Sequence, residues 1–124
     1  MNKEVLIVDD SNTNNFLLQS ILESEGIHAS IAFSGTEAFA YLKVEKPALI
    51  LLDIMMPNID GFGVLEKLQS KPETKTIPVV FITARNDETL RDQALNAGAS
   101  DLIIKPVDVN KVLEIVKEIL IKQE

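Results

Sequence analysis

The chain has 124 residues, 46% of them hydrophobic and 25% charged, the size and balance of one folded domain rather than a disordered segment. It has no cysteine, which excludes disulfides, thiolate metal sites and cysteine nucleophiles, and its net charge of −7 lacks the basic footprint that grips a nucleic-acid backbone. No apolar run approaches the ~20 residues that span a bilayer, and the N-terminal VLIV is too short for a signal peptide, so the expectation is a cytoplasmic protein with no direct nucleic-acid or membrane contact.

Apolar runs alternate with segments of helical period from end to end. The first run, Glu4–Asp9 (EVLIVD), predicts a strand, followed by a helix over about 12–25 that Ser11 or Asn12 can cap and Gly26 can end. Ile27–Phe33 is a more mixed strand, suited to a sheet edge, and leads into a helix over about 35–45. Ala48–Asp53 (ALILLD) is a fully apolar strand closed by a carboxylate, with a helix over about 60–70 capped by Asp60. Ile77–Thr83 is the fourth strand, with Pro78 at its opening, where a missing N–H is tolerated. A helix over about 86–97 follows, capped by Asn86 or Asp87 and closed by Gly98. Asp101–Ile104 is the fifth strand. A last helix over about 108–122 places Val109, Val112, Leu113, Val116, Ile119 and Leu120 on one core face, leaving Ile115 and Ile121 off the stripe as incidental surface aliphatics, the alternative being part of a contact face on the fourth helix, fifth strand and last helix. Five βα units in succession predict an α/β domain with a parallel sheet, since each helix returns the chain to the same end. Strands 1, 3 and 4 are apolar on consecutive residues, as expected when helices cover both faces.

In a parallel sheet every strand ends on one edge, and ligands bind just outside it. The strand ends here are Asp9-Asp10, Asp53, Thr83 and Lys105. Taken singly, each has an ordinary structural reading as a cap, a turn former or a solvated lysine. Taken together, three carboxylates and one ammonium leave two negative charges uncompensated. Crowded carboxylates raise one another's pKa values unless a cation intervenes, and Mg²⁺ suits a few carboxylate oxygens together with water and phosphate. An aspartate beside such a cation can act as a nucleophile toward phosphorus, with the Lys105 ammonium and the Thr83 hydroxyl placed to neutralise phosphoryl oxygens.

The segments VLIVDDS, LILLDIMMPNIDGFGVL, IPVVFITA and NAGASDLIIKP, in this order and spacing, resemble the receiver domain of two-component response regulators over essentially the whole chain. The resemblance implies a doubly wound, flavodoxin-like (βα)5 fold with strand order 2-1-3-4-5, residues 1–124 forming one receiver domain, and no effector domain in the chain. It implies Asp53 as phosphoacceptor on the central strand. Asp10, Asp53 and the main-chain carbonyl of Met55 would be direct ligands of Mg²⁺ or another divalent cation such as Mn²⁺, and Asp9 would act through metal-bound water. Thr83 and Lys105 would contact the phosphoryl group, and the Lys105–Pro106 peptide would be cis. The donor would be a phosphohistidine on a sensor histidine kinase or histidine phosphotransfer protein, and the output a change in affinity for a downstream protein target. Residues 55 and 85 would tune the phosphoryl lifetime. Where the family often carries Tyr or Phe, three residues before the lysine, this chain has Leu102, which implies a weaker or differently routed conformational response.

His28, the single histidine, reads as a surface or edge residue remote from the acids. Met55 and Met56 read as loop packing beneath the site. A flavin or nucleotide binder would share the fold, but the glycines at 26, 35, 61, 63 and 98 never form a phosphate-binding loop. A phosphohydrolase of external substrates would generally carry an acid two residues after its nucleophile, where this chain has Met55. A pure interaction module would not need all five polar residues. The chain is therefore expected to hydrolyse its own acyl phosphate slowly without being a turnover enzyme.

Overall fold

The computed structural model describes residues 4–123. Five strands and five helices alternate along them: β1 (Glu4–Val8), α1 (Asn12–Glu23), β2 (His28–Ala32), α2 (Gly35–Leu42), β3 (Leu49–Asp53), α3 (Gly61–Gln69), β4 (Val79–Thr83), α4 (Glu88–Asn96), β5 (Asp101–Ile104) and α5 (Val109–Ile121). All strand pairs are parallel and the order is β2-β1-β3-β4-β5. The predicted doubly wound fold and order are therefore those observed, with β2 at an edge.

Alternation of side chains across the pleat divides the core in two. Leu6, Val8, Ile50, Leu52, Val79, Phe81 and Leu102 face α2, α3 and α4. Val5, Ile7, Leu49, Leu51, Val80, Ile82 and Ile103 face α1 and α5. Both sheet faces are covered, which is why the central strands have no polar register.

Boundaries shift where local hydrogen bonds decide them. Ser11, not Asn12, caps α1, its hydroxyl accepting from the Asn14 N–H. Asp60 caps α3 through the Gly63 N–H. Asp87, not Asn86, caps α4 by accepting from the Thr89 and Leu90 N–H groups. α1 stops at Glu23, and Gly26 (φ +75°) turns the chain toward β2 in the left-handed region that favours glycine. On α5, Val112, Val116 and Leu120 are buried as expected, but Val109 in the first turn is 49% exposed. Ile115 packs against the core beside Leu113 and Ile119, so of the two off-stripe residues Ile121 alone is exposed. The α5 stripe is thus wider than the sequence pattern suggested and begins one turn later. Among the described residues, no helix is long and apolar enough to cross a membrane.

Candidate functional site

Each site residue stands at the end of a strand or just beyond it. The Asp9 N–H extends the β1–β2 ladder by donating to the Ala32 carbonyl at 3.1 Å. Its carboxylate then turns back, Oδ1 accepting from the Ser11 N–H at 2.9 Å. Asp53 is the last residue of β3 and Thr83 the last of β4. Lys105 follows β5, with its N–H donating to the Thr83 carbonyl at 2.7 Å. The Lys105–Pro106 peptide is cis.

The topology brings the three carboxylates together: one oxygen from each of Asp9, Asp10 and Asp53 lies within 4.8 Å of the others. The Lys105 ammonium sits between two of them, 3.3 Å from Asp9 Oδ2 and 3.4 Å from Asp53 Oδ1. Asp9 and Asp53 are buried, whereas Asp10 is exposed. Burial, and secondly the charge of Asp9, push the Asp53 carboxyl up from 3.8 to about 6, against the opposing charge and hydrogen bond of Lys105 and the Met55 N–H. The pocket therefore holds more negative charge than its one lysine neutralises. Its donors are all hard oxygens, with the single histidine on the β2 edge, exposed and 3.7–3.8 Å from Glu4 and Glu23. Such a donor set fits a hard divalent cation and not a soft or imidazole-seeking one.

Thr83 is fully buried, and among the described residues no hydrogen bond joins it to the carboxylates. Its Oγ1 accepts from the Arg85 N–H at 3.2 Å. Arg85 is drawn the other way, its guanidinium 2.8 Å from Asp87, and that hydrogen bond, with those from Leu90 and Thr89, holds the Asp87 carboxyl below the usual range. The two methionines separate: Met55 is 59% exposed, contrary to the expected packing, whereas Met56 rests against the core beneath α2–α4. After Asp53 the chain keeps Ile54 in the core, turns Met55 outward and brings Met56 back in. A cavity of about 520 Å³ lined by Lys75, Pro78, Ser100, Asp101 and Lys122 contains none of the predicted residues. The acidic rim is instead where unlike charges from the ends of β1, β3 and β5 converge.

Two residues escaped the sequence reading. Asn15 is fully buried on the core face of α1 and donates from Nδ2 to the Asp9 carbonyl at 2.7 Å. Its helical spacing to Leu18 and Leu22 was the available signal. Arg91 on α4 donates to the Asp101 carboxylate and to the Leu102 carbonyl, both at 3.2 Å. Leu102 itself is 1% exposed.

Comparison with known proteins places this geometry. Residues 5–117 match the profile of the response regulator receiver domain. The response regulator PleD of Caulobacter vibrioides is 44% identical over 108 residues, covering 87% of this chain but 24% of PleD. The chain thus spans about a quarter of that relative's length. Protein PilH of Pseudomonas aeruginosa is 36% identical over 116 residues, covering 94% of this chain and 96% of PilH. The crystal structure of a CheY-like response regulator receiver domain protein from Methanospirillum hungatei superposes with a TM-score of 0.89 at 33% identity, covering 99% of this chain and 97% of that one.

Proposed function

The chain belongs to the response regulator receiver family, and on that premise we propose that residues 1–124 form a phosphoacceptor domain that takes a phosphoryl group onto Asp53 from a phosphohistidine. The observation that supports this most directly is the convergence of three carboxylates with the Lys105 ammonium bridging Asp9 and Asp53. A carboxylate oxygen of Asp53 attacks phosphorus, the P–N bond breaks, and its electron pair returns to the imidazole nitrogen of the donor. The product is an acyl phosphate on Asp53.

The protein's part is positioning and charge. Asp53 is held at the end of a fully buried strand, so its carboxylate is presented at the rim with little freedom. Lys105 exchanges a carboxylate oxygen for a phosphoryl oxygen over a short distance. Thr83 already accepts a hydrogen bond from Arg85, which leaves the hydroxyl's own hydrogen free to donate to the phosphoryl group. Asp10, Asp53 and the Met55 carbonyl, with Asp9 through water, would hold Mg²⁺ or Mn²⁺, which when bound neutralises charge on the transferring oxygens. Met55 and Arg85, in the loops after β3 and β4, tune the lifetime of the acyl phosphate, which hydrolyses slowly without turnover of external esters.

The donor is a sensor histidine kinase or a histidine phosphotransfer protein, and the output is altered binding of a protein target. Leu102 is already inside the core and has no ring to swing inward. The response is therefore routed through α4, whose Arg91 grips the Leu102 carbonyl and the Asp101 carboxylate. Acetyl phosphate with magnesium should add about 80 Da, one phosphoryl group, to the intact mass. The gain should vanish in Asp53→Asn, and an adduct that persists in that variant would refute Asp53 as the acceptor.

A further inference from the structure

We propose that Asn15 is a positioning residue for the acidic rim, an inference that rests on the metal-dependent reading of that rim. Asn15 has no exposed surface, and it occupies the core stripe of α1 with Leu18, Ile21 and Leu22, where an apolar side chain would satisfy the packing. It is instead used for its amide. Nδ2 donates to the carbonyl of Asp9 at 2.7 Å, while the backbone N–H of the same residue donates to the carbonyl of Ser11 at 3.1 Å. One residue thus fastens the chain on both sides of Asp10, whose own side chain is exposed.

The bond to Asp9 completes a set. The Asp9 N–H is held by Ala32, its Oδ1 by the Ser11 N–H, its Oδ2 by Lys105 and its carbonyl by Asn15. Remove the last and the planar Asp9–Asp10 peptide can tilt through its flanking φ and ψ angles, shifting the backbone that carries Asp10 and the Ser11 N–H that holds Asp9. The Oδ1 of Asn15, by contrast, is buried with no hydrogen-bond donor among the described residues. An unpaired buried acceptor opposes folding. Asparagine at this position therefore costs stability at one atom while its other atom locks the turn, which is the balance expected of a group that serves the site rather than the core. Groups that orient metal ligands without touching the metal typically change affinity 10–100-fold when removed.

The test compares Asn15→Leu and the smaller Asn15→Ala with Leu18→Ala, which weakens the same helix stripe without touching Asp9. Three measurements are made on the full chain: the melting temperature, hydrogen exchange of the Ser11 amide in metal-free protein, and the Mg²⁺ dissociation constant by calorimetry. In Asn15→Leu the melting temperature should change little, Ser11 exchange should quicken about tenfold and the Mg²⁺ constant should rise about tenfold. Asn15→Ala gives the same two site readouts should leucine not fit. Leu18→Ala should melt lower yet bind Mg²⁺ within twofold of the parent. Unchanged Ser11 exchange and Mg²⁺ affinity in both Asn15 variants would overturn the proposal, as would an equal loss of affinity in Leu18→Ala. Parent protein that binds no Mg²⁺ would instead sink the metal reading of the rim, and Ser11 exchange without metal would still decide whether Asn15 locks the turn.

Discussion

Asp53→Asn keeps the shape of the side chain and deletes its charge, so it isolates the electrostatic load that the acidic rim places on the metal-free fold. The Asp53 carboxyl is raised from 3.8 to about 6, chiefly by burial and next by Asp9. Because the folded state binds its proton more tightly than the unfolded chain, it holds more protons between about pH 4 and 6. Stability from this group therefore falls as pH rises through that window and stays lower above it. At about 1.4 kcal/mol per tenfold change in proton affinity, the penalty at pH 7.5 is about 2–3 kcal/mol. Asparagine carries none of it, and Lys105 still has Asp9 at 3.3 Å as a partner. The variant should thus be more stable than the parent by about 2–3 kcal/mol at pH 7.5, a rise in melting temperature of roughly 6–15 °C. The advantage should shrink toward zero by about pH 4. Urea unfolding followed by circular dichroism in chelator, at steps from pH 4 to 7.5, measures both. Added Mg²⁺ should narrow the gap by stabilising the parent more. A parent as stable as the variant at pH 7.5, or a gap that does not change with pH, would refute the reasoning.

Lys105→Ala leaves Asp9 and Asp53 without their shared counter-ion; metal-free stability at pH 7.5 should drop by about 1–3 kcal/mol, less than for a fully enclosed pair. The Asp53 carboxyl should titrate higher still, and an unshifted carboxyl carbon titration by NMR would contradict the pairing. Gly61→Ala should cost about 1–3 kcal/mol, because the new Cβ would stand 2.7 Å from the Asp53 carbonyl oxygen and 2.8 Å from the Ile54 Cα; a urea midpoint equal to the parent's would show that the loop yields freely. On adding beryllofluoride and Mg²⁺, chemical-shift changes should concentrate along α4 and Arg91, and Arg91→Ala should curtail them. A large reorientation of the Leu102 methyls would instead place the response at that side chain.

Hydrophobic patterning alone determined most of the architecture. Five apolar runs at strand length, separated by helical periods, admit only a parallel sheet covered on both faces, and a parallel sheet collects its strand ends on one edge. Asp9, Asp53, Thr83 and Lys105 could be named in advance because each is the first polar residue after such a run, and Asp10 because it directly follows Asp9. Periodicity says less about what surrounds them. Val109 lies on the predicted α5 stripe yet is exposed. Met55 and Met56 are identical neighbours in the chain, and only the path of the loop sends one outward and one inward. The burial that lifts the Asp53 pKa, the seat of Lys105 between two carboxylates, and the reach of Asn15 to Asp9 depend on angles and distances between segments far apart in the chain. Local sequence encodes which residues arrive at the edge; packing of the helices against the sheet decides how deep they lie and which atoms they face.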